Sequence, residues 1–516
     1  MLLPSCAQHM PAVVCIKAPF CAIFTIPPGM AKIARSNLLI LPEREPGEAA
    51  WLWLYRAVRE EVLSGRLRAG ARLPSTRELA SAYSLSRSTI VRAFETLVAE
   101  GYLEGAVGTG TFVTQSLPDD LLQTPRSVAA GAAVERHRRL SRYATRLRGA
   151  EQNATAIKPF FANVPAFDLF PFDLWGKIAS RHARALDART LEGCGPQGIQ
   201  PLREAVADYL TSWRGVRCEP EQVFIVSGVL EALDLCARVF LDPGDRVCIE
   251  DPGYPDARHA LEAAGAQIVP VPIDVEGAKI GDGALEGVRL IYVTPAHQAP
   301  LGVTMTLQRR MTLLRAARDA GTVIFEDDYD SEYRFVGRPV PALQGLDEHN
   351  TVIFSGSFSK VLFQGLRLGY VVLPNDLLDV FAAARAQTVR HCQMLDQLTL
   401  CDFINTGHFA RHIRKMREIY AERLAALRSE LRRNLDGVLD LSVVEAGLQV
   451  IAHVKGVDAD ALVSQAAREG VTIASLRRYT LKEPAPNAII LGFAAYDRTN
   501  IYRGVAALTR AVRSLT

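Results

Sequence analysis

The chain has 516 residues, of which 49% are hydrophobic and 22% are charged, and its formal net charge is +3. This length predicts about three structural units rather than one ordinary domain. The nearly neutral charge balance excludes a broadly basic protein, so any surface that binds nucleic acid must be local. The nine cysteines form no Cys-x-x-Cys pair, which favours a cytoplasmic protein without a structural metal site.

Residues 1–49 are expected to be a disordered extension or the product of a misassigned start, with Met30 as an alternative initiator. Prolines interrupt the apolar residues before Met30, so the run of about 18 apolar residues needed to span a membrane is missing. A secretory signal requires an early basic cluster, whereas the first basic residue is Lys17. The segment therefore predicts neither membrane insertion nor secretion.

Three short helices and a hairpin are predicted within residues 50–114. Ser75 and Glu78 have the spacing of a capping box at the start of the second helix. The third helix begins after Ser86 and has Arg87 and Thr89 on its outer side. This arrangement is typical of a recognition helix in a DNA major groove. A helical unit that contacts only proteins is the alternative.

A glycine-rich hairpin tip follows the third helix and predicts a wing. Gly108 and Gly110 would allow the backbone to approach a phosphate group closely. The combination of three helices and a wing favours DNA binding over the alternative.

Residues 115–157 show little apolar periodicity and predict a basic linker. Most basic runs of this kind are solvated tethers, although this one could add non-specific phosphate contacts. Its arginines include Arg136, Arg138, Arg139, Arg142, Arg146 and Arg148.

Residues 158–516 alternate apolar strands with helical segments, which predicts an α/β fold with a mostly parallel sheet. Six short buried strands are predicted: Val223–Val226, Arg246–Ile249, Ile268–Val271, Leu290–Val293, Val323–Phe325 and Val352–Phe354.

Lys360 follows the last of these strands after a small, hydroxyl-rich turn. Ligands of open α/β folds bind at this edge of the sheet. Burial lowers the pKa of a lysine, so its amine can act as a nucleophile and form a Schiff base. Taken alone, a lysine after a strand is more often a solvated surface residue, and the neighbouring motifs decide between the two interpretations.

Other polar residues at strand ends match the requirements of a pyridoxal 5′-phosphate site. Asp327 is the candidate for the carboxylate that keeps the pyridine nitrogen protonated, and Tyr329 is the candidate partner of the ring hydroxyl. Phosphate binding requires backbone N–H groups, a hydroxyl and a guanidinium. The candidates are Gly228, Val229, Ser357 and Arg367.

Two patterns have a metal-binding alternative. The carboxylates of residues 326–330 suit Ca²⁺ or Mg²⁺, but they lack EF-hand spacing and follow a buried strand directly. His408 and His412 stand four residues apart, a spacing that can bind zinc, but the flanking basic residues favour a contact or capping role. We therefore predict no metal site.

Residues 50–516 together resemble the MocR/GabR-type regulators. In these proteins a GntR-family winged helix-turn-helix precedes a fold-type I aminotransferase-like domain with a smaller C-terminal α/β subdomain. The motifs that carry the resemblance include LPSTRELA, SRSTI, EGYL, EDPGY, EDDYDSEYR, SFSKVLFQGLRLGY and GHFARHIRKMR.

The resemblance implies roles for individual residues. Lys360 would hold pyridoxal 5′-phosphate, Tyr254 would join its binding site, and Arg478 would bind a ligand carboxylate. It also implies a homodimer that binds a double-stranded DNA operator. The implied DNA contacts are Arg72, Arg77, Arg87, Thr89 and Gly108.

Two departures from the family pattern affect the expected pocket. Ala299 stands where relatives have an aromatic residue, and Gly193 aligns with an aromatic position that would reach the phosphate of the neighbouring subunit. Both changes predict a wider or differently shaped pocket and weaker retention of the cofactor.

The sequence thus predicts a transcriptional regulator that senses an amino compound or pyridoxal 5′-phosphate itself. The competing hypothesis is an active aminotransferase that carries a DNA-binding appendage. The winged helix favours the first hypothesis, because a metabolic enzyme has no use for it.

Overall fold

The computed structural model describes residues 41–42, 44–45, 47–106, 110–116, 139–146, 158–281, 283–335, 341–443, 446–482 and 484–516. The chain forms two compact units that divide between residues 138 and 139. Most of the predicted extension and most of the predicted linker lie outside the described residues. Within the described ranges, no helix is long and apolar enough to cross a membrane.

The small unit consists of three helices and an antiparallel hairpin, as predicted. Apolar side chains at helical spacing, among them Leu54, Val58, Ile90 and Leu97, are completely or almost completely buried in its core. In the hairpin, Leu103 pairs with Val113. The elements are α1 (Ala50–Leu63), α2 (Thr76–Tyr83), α3 (Arg87–Ala99), β1 (Leu103–Ala106) and β2 (Gly110–Val113).

Two serines cap the helices of the small unit. The Ser75 backbone N–H donates to Glu78 Oε2 at 2.6 Å, and the Glu78 N–H donates to Ser75 Oγ at 3.3 Å. This reciprocal pair is the predicted capping box. Ser86 Oγ accepts a bond from the Thr89 N–H at 3.1 Å and so begins α3.

The large unit is an α/β fold whose helices surround two sheets. Its helices are α4 (Arg142–Arg146), α5 (Phe172–Arg184), α6 (Ala188–Glu192), α7 (Gln200–Arg214), α8 (Val229–Phe240), α9 (Pro255–Ala263), α10 (Leu307–Ala320), α11 (Leu343–Leu346), α12 (Phe358–Val361), α13 (Leu378–Ala386), α14 (Met394–Asn405), α15 (His408–Leu435), α16 (Ala459–Arg468) and α17 (Arg498–Arg513).

The larger sheet has eight strands, and all six predicted strands belong to it. The strands are β3 (Val223–Val226), β4 (Arg246–Asp251), β5 (Gln267–Asp274), β6 (Gly277–Ala278), β7 (Val288–Val293), β8 (Val323–Asp328), β9 (Val352–Ser357) and β10 (Gly369–Val372). Their order is β3-β10-β9-β8-β7-β4-β5-β6. The five strands from β9 to β5 run parallel, so their carboxyl ends lie at one edge.

Strand β10 was not predicted, and it lies antiparallel between β3 and β9. Four residues that include a glycine give too short an apolar run to predict a strand or its direction. Glycine is required at position 369 for a steric reason, because an added Cβ atom would lie 3.1 Å from the Gly228 Cα atom. The glycine therefore lets β10 lie close to the chain at Gly228.

A smaller antiparallel sheet forms the predicted C-terminal subdomain, with the strand order β11-β12-β14-β13. Its strands are β11 (Leu439–Leu441), β12 (Gln449–Val454), β13 (Ala474–Ser475) and β14 (Ala488–Gly492). Buried side chains of β12 and β14 belong to the same hydrophobic core as those of α15 and α17.

Candidate functional site

The eight predicted cofactor-site residues all line one cavity of about 300 Å³. Several come from the carboxyl ends of parallel strands, which explains why positions far apart in sequence meet there. The predicted residues are Gly228, Val229, Tyr254, Asp327, Tyr329, Ser357, Lys360 and Arg367. The remaining lining residues are Asn163, Leu230, Asp256, Tyr292, Ala299, Ser359 and Gln364.

Lys360 lies in the short helix α12, directly after β9. Its Nζ atom donates to the backbone carbonyl of Asn163 at 3.2 Å. Burial lowers the pKa of this lysine, while the nearby carboxylates of Asp330, Asp327 and Asp256 act in the opposite direction. The net lowering increases the fraction of free amine, which is the nucleophilic form.

Asp327 lies at the end of β8 and is almost completely buried. The Tyr292 hydroxyl donates to Asp327 Oδ2 at 2.5 Å, whereas the buried Oδ1 atom has no hydrogen-bond partner among the described residues. Burial raises the pKa of Asp327 to about 7, and the Tyr292 hydrogen bond opposes this rise. The protonated pyridine nitrogen of pyridoxal 5′-phosphate would supply the missing donor and keep the Asp327 carboxylate ionised.

Tyr329 is held by a histidine–aspartate pair. Its hydroxyl lies 3.2 Å from His297 Nδ1, which lies 2.9 Å from Asp330 Oδ1. His297 and Asp330 are both buried, so these contacts restrict the position of the Tyr329 side chain. Tyr329 lines the same cavity as Lys360 and Asp327.

The lining of the cavity also includes the donor types that a phosphate requires. Gly228 adopts φ 145° and precedes α8, so Val229 contributes an N–H of the first helical turn. An added Cβ atom at Gly228 would lie 3.7 Å from Arg367 Nη2, so the guanidinium lies beside this helix end. Ser357 Oγ accepts from the Ser359 N–H at 3.2 Å, and its hydroxyl hydrogen is available to a further acceptor.

Three of the lining residues that the sequence did not identify have polar groups that bear on the site. Ser359 has a buried Oγ atom without a hydrogen-bond partner among the described residues. Asn163 contacts Lys360 from 197 positions away, a pairing that no local pattern indicates. Tyr292 lies on a correctly predicted strand, and its hydroxyl was the signal that could have identified it, because buried tyrosines require a partner.

Arg478 lies in an adjacent cavity of about 650 Å³ rather than beside Lys360. Asn163, Tyr254 and Asp256 line both cavities. Arg478 is exposed and precedes Tyr479, which also lines this second cavity. A ligand that reacts at Lys360 and places a carboxylate at Arg478 would therefore extend from the first cavity into the second.

The two departures from the family pattern have different surroundings. Ala299 lines the cavity around Lys360, and its small side chain leaves space there. Gly193 does not line that cavity. It follows α6 with φ 97°, and a Cβ atom at this position would collide with the ring of His391.

The two histidines of α15 have different surroundings. His412 is buried, and burial lowers its pKa to about 4, while a hydrogen bond to the backbone of Val361 opposes this shift. His408 Nδ1 lies 2.8 Å from Arg411 Nη1. Across the described ranges, no group of three or more His, Cys, Asp and Glu side chains could hold a metal ion.

The predicted DNA contacts lie on the surface of the small unit. Arg72, Arg77 and Arg87 are exposed, and Thr89 is partly exposed. Thr89 Oγ1 lies 2.7 Å from Ser86 Oγ, so its hydroxyl takes part in the cap of α3. Gly108 lies outside the described residues.

Two arginines of the small unit have neighbours that the sequence did not indicate. The backbone of Arg72 pairs with Phe112 of the wing. A Cβ atom at Gly110 would lie 3.0 Å from Arg72 Nε, so the guanidinium is next to the hairpin. The Arg92 guanidinium lies over the Trp51 ring, 4.1 Å from its centroid.

Comparison with protein families matches both units. Residues 162–508 match the aminotransferase class I and II family, and residues 53–113 match the gntR family of bacterial regulatory proteins. The chain is 39% identical over 463 residues to the probable rhizopine catabolism regulatory protein MocR of Rhizobium meliloti. This alignment covers 90% of the chain and 93% of that relative.

Enzymes resemble the large unit. The chain is 32% identical over 369 residues to the 2-aminoadipate transaminase of Thermus thermophilus, covering 70% of the chain and 91% of the enzyme. The crystal structure of LysN, an alpha-aminoadipate aminotransferase from Thermus thermophilus complexed with N-(5′-phosphopyridoxyl)-L-leucine, superposes with a TM-score of 0.63 at 29% identity. That match covers 73% of this chain and 95% of LysN.

Proposed function

We propose that this chain, which belongs to the family of HTH-type transcriptional regulators joining a GntR domain to an aminotransferase class I and II domain, controls transcription through a ligand bound beside Lys360. The ligand is a small amino compound or pyridoxal 5′-phosphate itself. The protein would act in the cytoplasm as a homodimer, with one winged helix from each protomer on a double-stranded operator.

The unpartnered Oδ1 atom of Asp327, in the same cavity as Lys360, carries the cofactor part of this proposal. A buried carboxylate oxygen without a donor is costly unless a ligand supplies one. When bound, pyridoxal 5′-phosphate supplies a carbonyl that condenses with amines and a ring that withdraws electrons. The donors and acceptors of the cavity match both ends of such a molecule.

The predicted polar residues of the cavity have separate roles in this proposal. Lys360 provides the amine that attaches the cofactor, and the low polarity of its site keeps a larger fraction of that amine unprotonated. Asp327 pairs with the ring nitrogen, and Tyr329 orients the ring hydroxyl. The Val229 N–H, the Ser357 hydroxyl and the Arg367 guanidinium would donate hydrogen bonds to the phosphate.

Regulation requires that the ligand distinguish two states of the protein. A ligand that binds both arrangements of the large unit equally well cannot change the affinity for DNA. A ligand that changes the contacts of Lys360, which lies in α12, would therefore distinguish the two states. By reciprocity, operator DNA should then alter the affinity for the amine by the same factor.

The second candidate function is transamination. It is favoured by the similarity to a 2-aminoadipate transaminase over most of the large unit. A nucleophilic lysine and a carboxylate at the ring nitrogen also serve that reaction. The two functions differ in turnover, because a sensor binds its amine reversibly whereas a transaminase releases a keto acid repeatedly.

The test combines cofactor absorbance, operator binding and product analysis on the full chain. We expect Lys360→Ala to remove the visible absorbance of the covalently held cofactor without unfolding the protein. Lys279→Ala, at an exposed lysine outside the cavity, is the matched control and should keep the absorbance. An intact absorbance in Lys360→Ala would contradict the assignment of this lysine.

An amino compound that changes the absorbance of the native protein should also change its affinity for operator DNA. Accumulation of keto acid beyond one equivalent per subunit would favour the transaminase. Operator affinity that no amine and no cofactor alters would exclude the sensor.

A further inference from the structure

Asp256 is the charged residue of the Lys360 cavity to which the proposed function gives no role. The cavity is lined by four charged side chains, those of Asp256, Asp327, Lys360 and Arg367. In the proposed function, Asp327 would pair with the pyridine nitrogen of the cofactor, Lys360 with its carbonyl and Arg367 with its phosphate. The carboxylate of Asp256 therefore requires a separate explanation.

The position of Asp256 gives it access to a ligand in either cavity. It belongs to the first turn of α9 and lines both the cavity of Lys360 and the adjacent cavity of Arg478. The Tyr254 hydroxyl donates to Asp256 Oδ2 at 3.0 Å, which fixes the orientation of the carboxylate. Its other oxygen, Oδ1, has no hydrogen-bond or ion-pair partner within the part of the chain that the structure describes.

A purely structural role explains only part of the position and contacts of Asp256. A carboxylate in the first turn of a helix stabilises the helix through its dipole, and this accounts for the residue type. It does not account for the shared position between the two cavities or for the tyrosine that orients the side chain. Asp256 is itself exposed, but stabilisation of the helix does not require its side chain to reach either cavity.

A role in activating Lys360 is also excluded by the sign of the electrostatic effect. The negative charge of Asp256 favours the protonated lysine and so opposes the lowering of the Lys360 pKa by burial. An acidic residue at this position works against the nucleophile. The explanation must therefore be sought in the ligand.

We infer that Asp256 selects the ligand, which is an amine carrying a second hydrogen-bond donor, an ammonium or a hydroxyl group. This inference rests on the proposed function and deepens it. A carboxylate accepts charge-assisted hydrogen bonds from such groups. It leaves a methyl group without a partner and repels a second carboxylate. The amine at Lys360 and the donor at Asp256 together define the ligand class.

Isosteric amino acids test this inference on the full-length protein loaded with cofactor. Ornithine, hydroxynorvaline and norleucine have side chains of equal length that end in ammonium, hydroxyl and methyl groups. Diaminobutyrate, homoserine and norvaline form the same series one carbon shorter. Affinities are measured by titration of the cofactor absorbance. In at least one series, we expect an ammonium or hydroxyl ligand to bind about 10-fold tighter than the methyl ligand.

Substitutions at Asp256 identify the source of that preference. Asp256→Ala should abolish the preference for both donor groups. Asp256→Asn removes only the charge, so it should lower the affinity for the ammonium ligand about 10-fold and affect the hydroxyl ligand less. Asp379→Asn is the matched control, because Asp379 is exposed on α13 and lines neither cavity. It should leave all affinities unchanged.

The possible failures separate the inference from the function on which it rests. A native protein that does not distinguish the isosteres in either series, or an Asp256→Ala variant that keeps the preference, overturns the role of Asp256. In both cases a Lys360-dependent cofactor signal leaves the proposed function standing. Absence of any Lys360-dependent signal overturns both.

Discussion

The two units of this protein place their functional residues in opposite environments. The predicted DNA contacts Arg72, Arg77 and Arg87 are exposed on the small unit, and its core is made of other, apolar residues. In the large unit, Asp327 and Lys360 depend on partners that are distant in sequence, Tyr292 and Asn163. Substitutions of separate exposed contacts are expected to have additive effects on the free energy of binding. Substitutions of buried groups that share a site are not additive.

The contrast extends to charge pairs within the large unit itself. The Nε–Oδ2 distance is 2.7 Å both in the buried pair Arg214–Asp328 and in the exposed pair Arg238–Asp234. The Arg214 and Asp328 side chains are 5% and 3% exposed, and those of Arg238 and Asp234 are 57% and 42% exposed. The two pairs thus have the same Nε–Oδ2 distance and differ in burial.

The largest expected effect comes from breaking the buried pair. Asp328→Ala leaves the charge of Arg214 buried without its carboxylate, so we expect a loss of about 3–5 kcal/mol in the free energy of unfolding, measured with denaturant. Asp234→Ala is the control and should cost at most about 1 kcal/mol. Similar losses in the two variants would show that burial does not govern these pairs.

The next effect is a pH dependence caused by His412. Because burial holds its folded pKa at about 4, below the ordinary 6.5, the unfolded chain binds more protons between these values. Stability from this residue is therefore complete above pH 6.5 and is lost as the pH falls towards 4, by about 3 kcal/mol in total.

Comparison with His412→Gln isolates this contribution from that of the buried carboxylates, such as Glu250, whose raised pKa acts in the opposite direction. The difference in unfolding free energy between the native protein and the variant should narrow as the pH is lowered from 7 to 4. The same substitution at exposed His349 is the matched control. A difference that does not vary with pH would refute the neutral, buried state of His412.

A smaller effect is expected for an exposed DNA contact. Arg87→Ala should weaken specific operator binding by about 1–3 kcal/mol and leave cofactor absorbance intact, because Arg87 belongs to the small unit and the cofactor cavity to the large unit. Operator binding is measured at fixed salt. Arg56→Ala on α1, whose side chain is 66% exposed and paired with Glu48, is the control. Equal operator affinity in the Arg87 variant and the native protein would move the recognition surface elsewhere.

The smallest effect concerns the cap of α3. Ser86→Ala removes the acceptor of the Thr89 N–H and should cost the small unit about 1 kcal/mol. Amide hydrogen exchange in the full chain measures this loss for the small unit alone. Ser81→Ala, at an exposed position inside α2, should show no such loss. Unchanged exchange of the amides around α3 in Ser86→Ala would contradict the role of this cap.

Local patterns were sufficient for the elements and for several residues of the candidate site. The capping box of Ser75 and Glu78 and the six parallel-sheet strands follow from spacing and composition, which depend on neighbouring residues only. Position after a buried strand also predicted Asp327 and Lys360 correctly as residues at the sheet edge, because parallel strands end together. Strand β10 was missed, since its direction and pairing depend on residues outside the local sequence.

Contacts between distant segments could not be predicted in the same way. Tyr292 fixes one oxygen of Asp327, and the carbonyl of Asn163 accepts from Lys360, but neither pairing leaves a trace in local spacing. The placement of Arg478 in a second cavity, joined to the first through Asp256, is likewise a result of folding.

The sequence by itself determined the order of the two units, the helix caps, the buried strands and the residue types available for chemistry, because short-range spacing controls these features. The tertiary structure decided which oxygen of Asp327 has no partner among the described residues, in which direction burial shifts the pKa values of Lys360 and His412, and which carboxylates line the cavity of Lys360. Those properties depend on burial and on neighbours brought together from distant parts of the chain, and only the folded protein fixes both.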